Sequence, residues 1–117
     1  MFILKKLKLV CIAMAFMTTG VVSAQTNMIT GVGANSCNQF LESTSKQPAT
    51  DIIYISWMQG YLTAFNAIAA FQKRSQLLVP DGNELKKSLA QLCANNLKLD
   101  IYEASTIIMG KLAVKIE

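Results

Sequence analysis

The sequence contains no histidine. That absence removes the commonest general base at neutral pH, the commonest metal ligand, and both the Ser-His and Cys-His nucleophile pairs. Paired carboxylates are missing too: Glu42, Glu84, Asp100 and Glu103 are scattered, each near an expected helix end where capping accounts for it. Asp81-Gly82-Asn83 invites a calcium reading, but the twelve-residue ligand spacing is absent. The chain is therefore read as non-enzymatic, with no catalytic residue, no metal ligand and no cofactor. No stretch alternates apolar and polar residues as a half-buried strand does, and no segment repeats, so the class is all-α. A basic patch is lacking as well, which argues against nucleic acid as a partner.

What is present begins with an export signal. Lys5, Lys6 and Lys8 precede a nearly continuous apolar run from Leu9 to Val22, and Val22-Ser23-Ala24 places small residues where a signal peptidase reads. Residues 1–24 are read as a signal peptide cleaved after Ala24, with the periplasm as destination. Cys11 follows Val10 rather than a small residue, so lipoprotein processing is disfavoured. Removing three lysines leaves eight cations against seven carboxylates, a net charge near +1. Of six methionines, Met1, Met14 and Met17 leave with the signal, so the remainder is not a methionine-rich binding surface. The remaining length suits one small domain.

Gln25 to Asn35 carries two glycines and no periodicity, and reads as a flexible arm over 25–35. The helical domain is placed at 36–117. Ser36 followed by Gln39 has the form of a capping box and opens a short helix through Phe40 and Leu41, with Ser43 to Thr50 read as loop. The organising stretch is Ile52 to Phe71, twenty residues without a charge. Its length fits a bilayer span, but Ser56, Gln59, Gly60, Thr63, Asn66 and Ala67 recur at steps of three or four and make a small or polar stripe. Opposite them the spacing sets Ile53, Trp57, Tyr61, Phe65 and Ile68, with Trp57, Tyr61 and Phe65 as the expected core. The helix is read as central and largely enclosed by partner segments, with no stable membrane insertion. Lys73-Arg74 at its end is read as a solvated terminus complementing the helix dipole.

Pro80 favours an extended connection over Leu77 to Pro80. Leu85, Leu89, Leu92 and Cys93 then form one helical face between Glu84 and Asn95. Asp100 and Glu103 repeat the capping-box form, and Ile101, Ser105, Ile108 and Leu112 line a last helix expected to run to about Ala113. Cys37 and Cys93 are the two cysteines left after export, so a disulfide between them is expected in an oxidising compartment. Neither has a neighbouring cysteine or a cationic setting, so a redox-active pair is disfavoured. The sum is a small single-domain bundle of about four helices stapled by one disulfide.

The small stripe, including Ser56, Gly60, Thr63, Ala64 and Ala67, leaves two expectations open. Either the last helix packs across it through Ala104, Ser105 and Ile108, or it faces a second copy in a two-fold homodimer.

The runs Ser36-Cys37-Asn38-Gln39-Phe40-Leu41, Trp57-Met58-Gln59-Gly60-Tyr61-Leu62 and Leu89-Ala90-Gln91-Leu92-Cys93-Ala94-Asn95-Asn96 resemble the small secreted helical proteins of the HdeA/HdeB type. That resemblance implies an acid-stress periplasmic chaperone: a dimer at neutral pH that loosens in acid and binds unfolding client proteins. Protonating seven carboxylates would take the net charge from about +1 to about +8, and self-repulsion would oppose compaction. The same architecture is similar to that of immunity proteins of type VI secretion, of the Tai kind, which bind and neutralise a secreted toxin effector. Gly60-Tyr61 and Val79-Pro80-Asp81-Gly82 look more like this second group, although a second bridge is common there and absent here.

Overall fold

The computed structural model describes residues 28–116. The expected signal peptide, its expected cleavage after Ala24 and the start of the arm lie outside the described residues. Four α-helices follow one another: α1 Cys37–Lys46, α2 Asp51–Phe71, α3 Gly82–Asn95 and α4 Ile101–Met109. Among the described residues none is long and apolar enough to cross a membrane.

Three helix starts form as their sequences dictate. Ser36 and Gln39 exchange bonds at 3.1 and 2.8 Å, Asp81 accepts from the Glu84 amide at 2.9 Å, and Asp100 and Glu103 close a second capping box at 2.6 and 3.1 Å. Each satisfies amides that the first helical turn leaves without partners. The start of α2 differs: Thr50 makes no side-chain cap and instead bonds back to the Gln47 carbonyl at 2.7 Å. Asp51 supplies the negative charge there, in an ion pair with Lys86 of α3 at 2.6 Å.

Two boundaries move from the expected places. Ser43 to Lys46 is helical rather than loop: the Ser43 and Thr44 hydroxyls fold back onto the Gln39 and Phe40 carbonyls at 2.7 and 2.8 Å, and Lys46 pairs with Glu42 one turn earlier at 3.0 Å. Pro48 then ends the helix. α4 stops at Met109, short of Ala113, and the chain after it turns back alongside the α2–α3 connection. There Leu78 N–H donates to Ala113 C=O at 2.8 Å and Lys115 N–H to Gln76 C=O at 2.7 Å, while Asn66 of α2 clamps both backbone groups of Leu77 at 2.8 and 2.9 Å.

The arm also needs correction. Gly31–Ala34 is a 3₁₀ turn, and residues 30–35 are built into the fold rather than flexible. Gly33 is buried against the indole of Trp57, where a Cβ would clash with the ring. Trp57 Nε1 donates to the Thr30 carbonyl at 3.1 Å, and Asn35 accepts from the Ile101 amide at 2.8 Å. The glycine there serves close approach, a role its composition does not distinguish from mobility.

The core joins Phe40 of α1, Tyr54, Ile55, Met58 and Leu62 of α2, Leu85 and Leu89 of α3, and Ile101, Ala104 and Ile108 of α4. Cys37 and Cys93 are bonded within it, S–S 2.13 Å, both fully buried. The bridge ties α1 to α3 across a sequence separation of 56 that contains the whole of α2. A closed loop of this size stabilises by about 4 kcal/mol in the chain-entropy model.

Candidate functional site

α2 is buried along one face and open along the other. Tyr54, Ile55, Met58, Leu62 and Ala69 point inward. Ser56, Gly60, Thr63, Ala64 and Ala67 all lie exposed, and a Cβ at Gly60 would meet nothing within 4 Å. The expectation that the last helix packs across this stripe is therefore wrong. Ala104, Ser105 and Ile108 are buried, but α4 lies against the Tyr61 flank of α2, where Tyr61 OH bonds Thr106 Oγ1 at 3.0 Å and the Tyr61 and Tyr102 rings meet edge-on at 5.5 Å.

Along the middle of the helix the physical reason is area. Small residues release little apolar surface on burial, so Tyr54, Ile55, Met58 and Leu62 win the interior at about 25 cal/mol per Å².

The aromatic side of the helix flanks the core rather than filling it. Trp57, Tyr61 and Phe65 are each half-buried. Trp57 stacks on Tyr61 at 5.8 Å and carries the arm on its other side. Arg74 lies 6.0 Å above the Phe65 ring. Two residues that spacing had set beside these aromatics, Ile53 and Ile68, are more than half exposed.

Ile53 and Ile68 belong to the open face, together with Ile52 and with Phe71, which is 89% exposed. Bulky groups thus stand at both ends of the face and small ones between them. No charge interrupts it from Ile52 to Phe71, a span of about 30 Å at 1.5 Å per residue. The isoleucines and Phe71 are the site residues that sequence reasoning missed. Their signal was the rival spacing Tyr54, Ile55, Met58, Leu62, which has the same form as the Leu85, Leu89, Cys93 face of α3 and would have assigned the interior correctly.

Chemically the face can exclude water from an apolar partner and offer the Ser56 and Thr63 hydroxyls beside it. Covering it desolvates no charge. Beside it, the Asp51 carboxyl is held below its ordinary value of 3.8 by the hydrogen bond from Lys86 and by its charge. Among the described residues, no three acidic or cysteine side chains converge to hold a metal ion. Compared with known proteins, the chain matches no family model, no curated protein and no solved structure.

Proposed function

We propose that this chain is an exported, non-enzymatic binding protein that holds a folded protein partner on the open face of α2, acting as an immunity protein acts on a secreted toxin effector. The observation that carries this reading is that the apolar face is already open in the single folded chain. It carries no titratable group, so acid is not needed to uncover it. The buried disulfide supports a preformed surface, since it holds α1 and α3 together behind α2.

A second reading, the acid-stress chaperone that binds unfolding proteins at low pH, is favoured by the pattern along the same face. Crossing two copies of α2 antiparallel would set Ile52 and Ile53 of one against Ile68 and Phe71 of the other. Gly60 would then lie near Thr63 and Ala64, a self-complementary seam that would hide the face at neutral pH.

Titration with an apolar dye from neutral to acidic pH, with sedimentation in parallel, separates the two. A preformed docking face binds dye at neutral pH and loses it in Gly60→Arg with the fold intact. Little dye at neutral pH, rising as a dimer dissociates in acid, would contradict the preformed face and support the chaperone.

A further inference from the structure

The end of α2 and the terminal segment enclose a cleft of about 620 Å³, lined by Lys73, Arg74 and Lys115 over Ala70, Val114 and Ile116. Among the described residues no carboxylate lines it, and neither of the ion pairs there involves these three cations. Two further features point to what it takes.

First, Lys73 holds a left-handed backbone, φ 55°, and is the one described non-glycine residue with a positive φ. It closes α2 in a Schellman arrangement, with Lys73 N–H on Ala70 C=O at 3.0 Å and Arg74 N–H on Ala69 C=O at 2.7 Å. Glycine is the residue that adopts this conformation without strain. What lysine adds over glycine is a cationic side chain, at a residue that lines the cleft. Second, Leu78 and Lys115 use the bonds that pair 113–115 with 76–78, and among the described residues no group bonds the backbone N–H or C=O of Val114. Those groups face away from the paired segment, as at a sheet edge.

We propose that this cleft binds an extended, carboxylate-rich segment of a protein partner. Its backbone pairs with the free N–H and C=O of Val114, its carboxylates meet Lys73, Arg74 and Lys115, and its apolar side chains lie on Val114 and on Ile116, which is 92% exposed. A nucleic acid would want cations in a longer track, and the adjoining face of α2 has none. The site stands independently of any role for that face.

Fluorescence anisotropy of a labelled peptide of alternating glutamate and valine, at low ionic strength with the oxidised protein, tests the proposal. The protein binds this peptide. Binding weakens at least tenfold when Arg74→Gln and Lys115→Gln are combined, and severalfold in Lys73→Gly, whose thermal midpoint stays at or above that of the unsubstituted protein. Circular dichroism checks that the double variant is folded, and Lys73→Gly stands alone if it is not. No binding, binding unchanged in Lys73→Gly, or equal binding of the glutamine-valine peptide overturns the proposal. Tighter binding of a single-stranded oligonucleotide or of anionic phospholipid vesicles than of the peptide also overturns it, in favour of those ligands.

Discussion

Along one side of α2, Tyr54, Ile55, Met58, Leu62 and Ala69 are buried; along the other, Ser56, Gly60, Thr63, Ala64 and Ala67 lie open between exposed Ile52, Ile53, Ile68 and Phe71. Neither side carries a charge, so polarity does not separate them. Along the middle of the helix side-chain volume does, with Met58 and Leu62 buried opposite Gly60, Thr63 and Ala64, because a core gains from each residue in proportion to the apolar area it removes from water. At the ends bulky Ile52, Ile53, Ile68 and Phe71 stay open and small Ala69 is buried. A helix of nearly uniform hydrophobicity can thus be one-sided, and its open side is then a surface the fold itself does not need.

The largest effect that sharpens this contrast is on the frame behind the buried side. Reducing Cys37–Cys93 should lower the thermal midpoint by well over ten degrees, from about 4 kcal/mol and at least about 4 °C per kcal/mol for a domain of this size. Mass spectrometry of the isolated protein checks the premise, and two free thiols would remove it.

Next is the buried side itself. Leu62→Ala should cost about 2 to 5 kcal/mol by denaturant titration, as a fully buried leucine does. Ala64→Leu, two residues on and across the helix, should change stability by no more than about 0.5 kcal/mol. Equal losses at the two positions would erase the distinction between the sides.

A smaller effect lies in pH. The Asp51 carboxyl is depressed in the folded state by Lys86, so the contribution of this pair is present above the ordinary carboxyl value near 3.8 and is lost as the pH falls through the lowered folded value. Asp51→Asn should therefore narrow the stability difference between neutral pH and strongly acidic pH. A variant whose acid unfolding coincides with the parent's would show that the α2–α3 pair takes no part.

The smallest effect is at Ser105. Its hydroxyl is buried in α4 without a hydrogen-bond partner among the described residues. Ser105→Ala should be neutral or stabilising by up to about 1 kcal/mol, since it removes an unsatisfied polar group. A clear loss of stability would mean that the hydroxyl is bonded in solution.

Much of the fold was legible because it rests on local chemistry. Ser36 with Gln39, and Asp100 with Glu103, are reciprocal caps readable from a four-residue window, and Cys37 with Cys93 needed only a count of two. Leu85, Leu89 and Cys93 stand out against polar neighbours such as Lys86, Lys87 and Gln91, so the inner face of α3 declares itself. α2 offers no such contrast, and its face was misassigned where Ile53 and Ile68 were set with the aromatics. The arm misled for another reason. Gly33 looks the same in a sequence whether it frees the backbone or lets an indole lie on it. The pairing of 76–78 with 113–115 depends on where α4 stops, which only tertiary contacts decide.

The most direct test of the open face is the thermal midpoint of Gly60→Leu in dilute, oxidised protein. A Cβ at Gly60 meets nothing within 4 Å, and leucine is favoured over glycine in a helix interior by up to about 1 kcal/mol. The midpoint should hold or rise by a few degrees. A fall of five degrees or more would mean that another part of the chain covers Gly60, and the face would then belong to the core rather than to a partner.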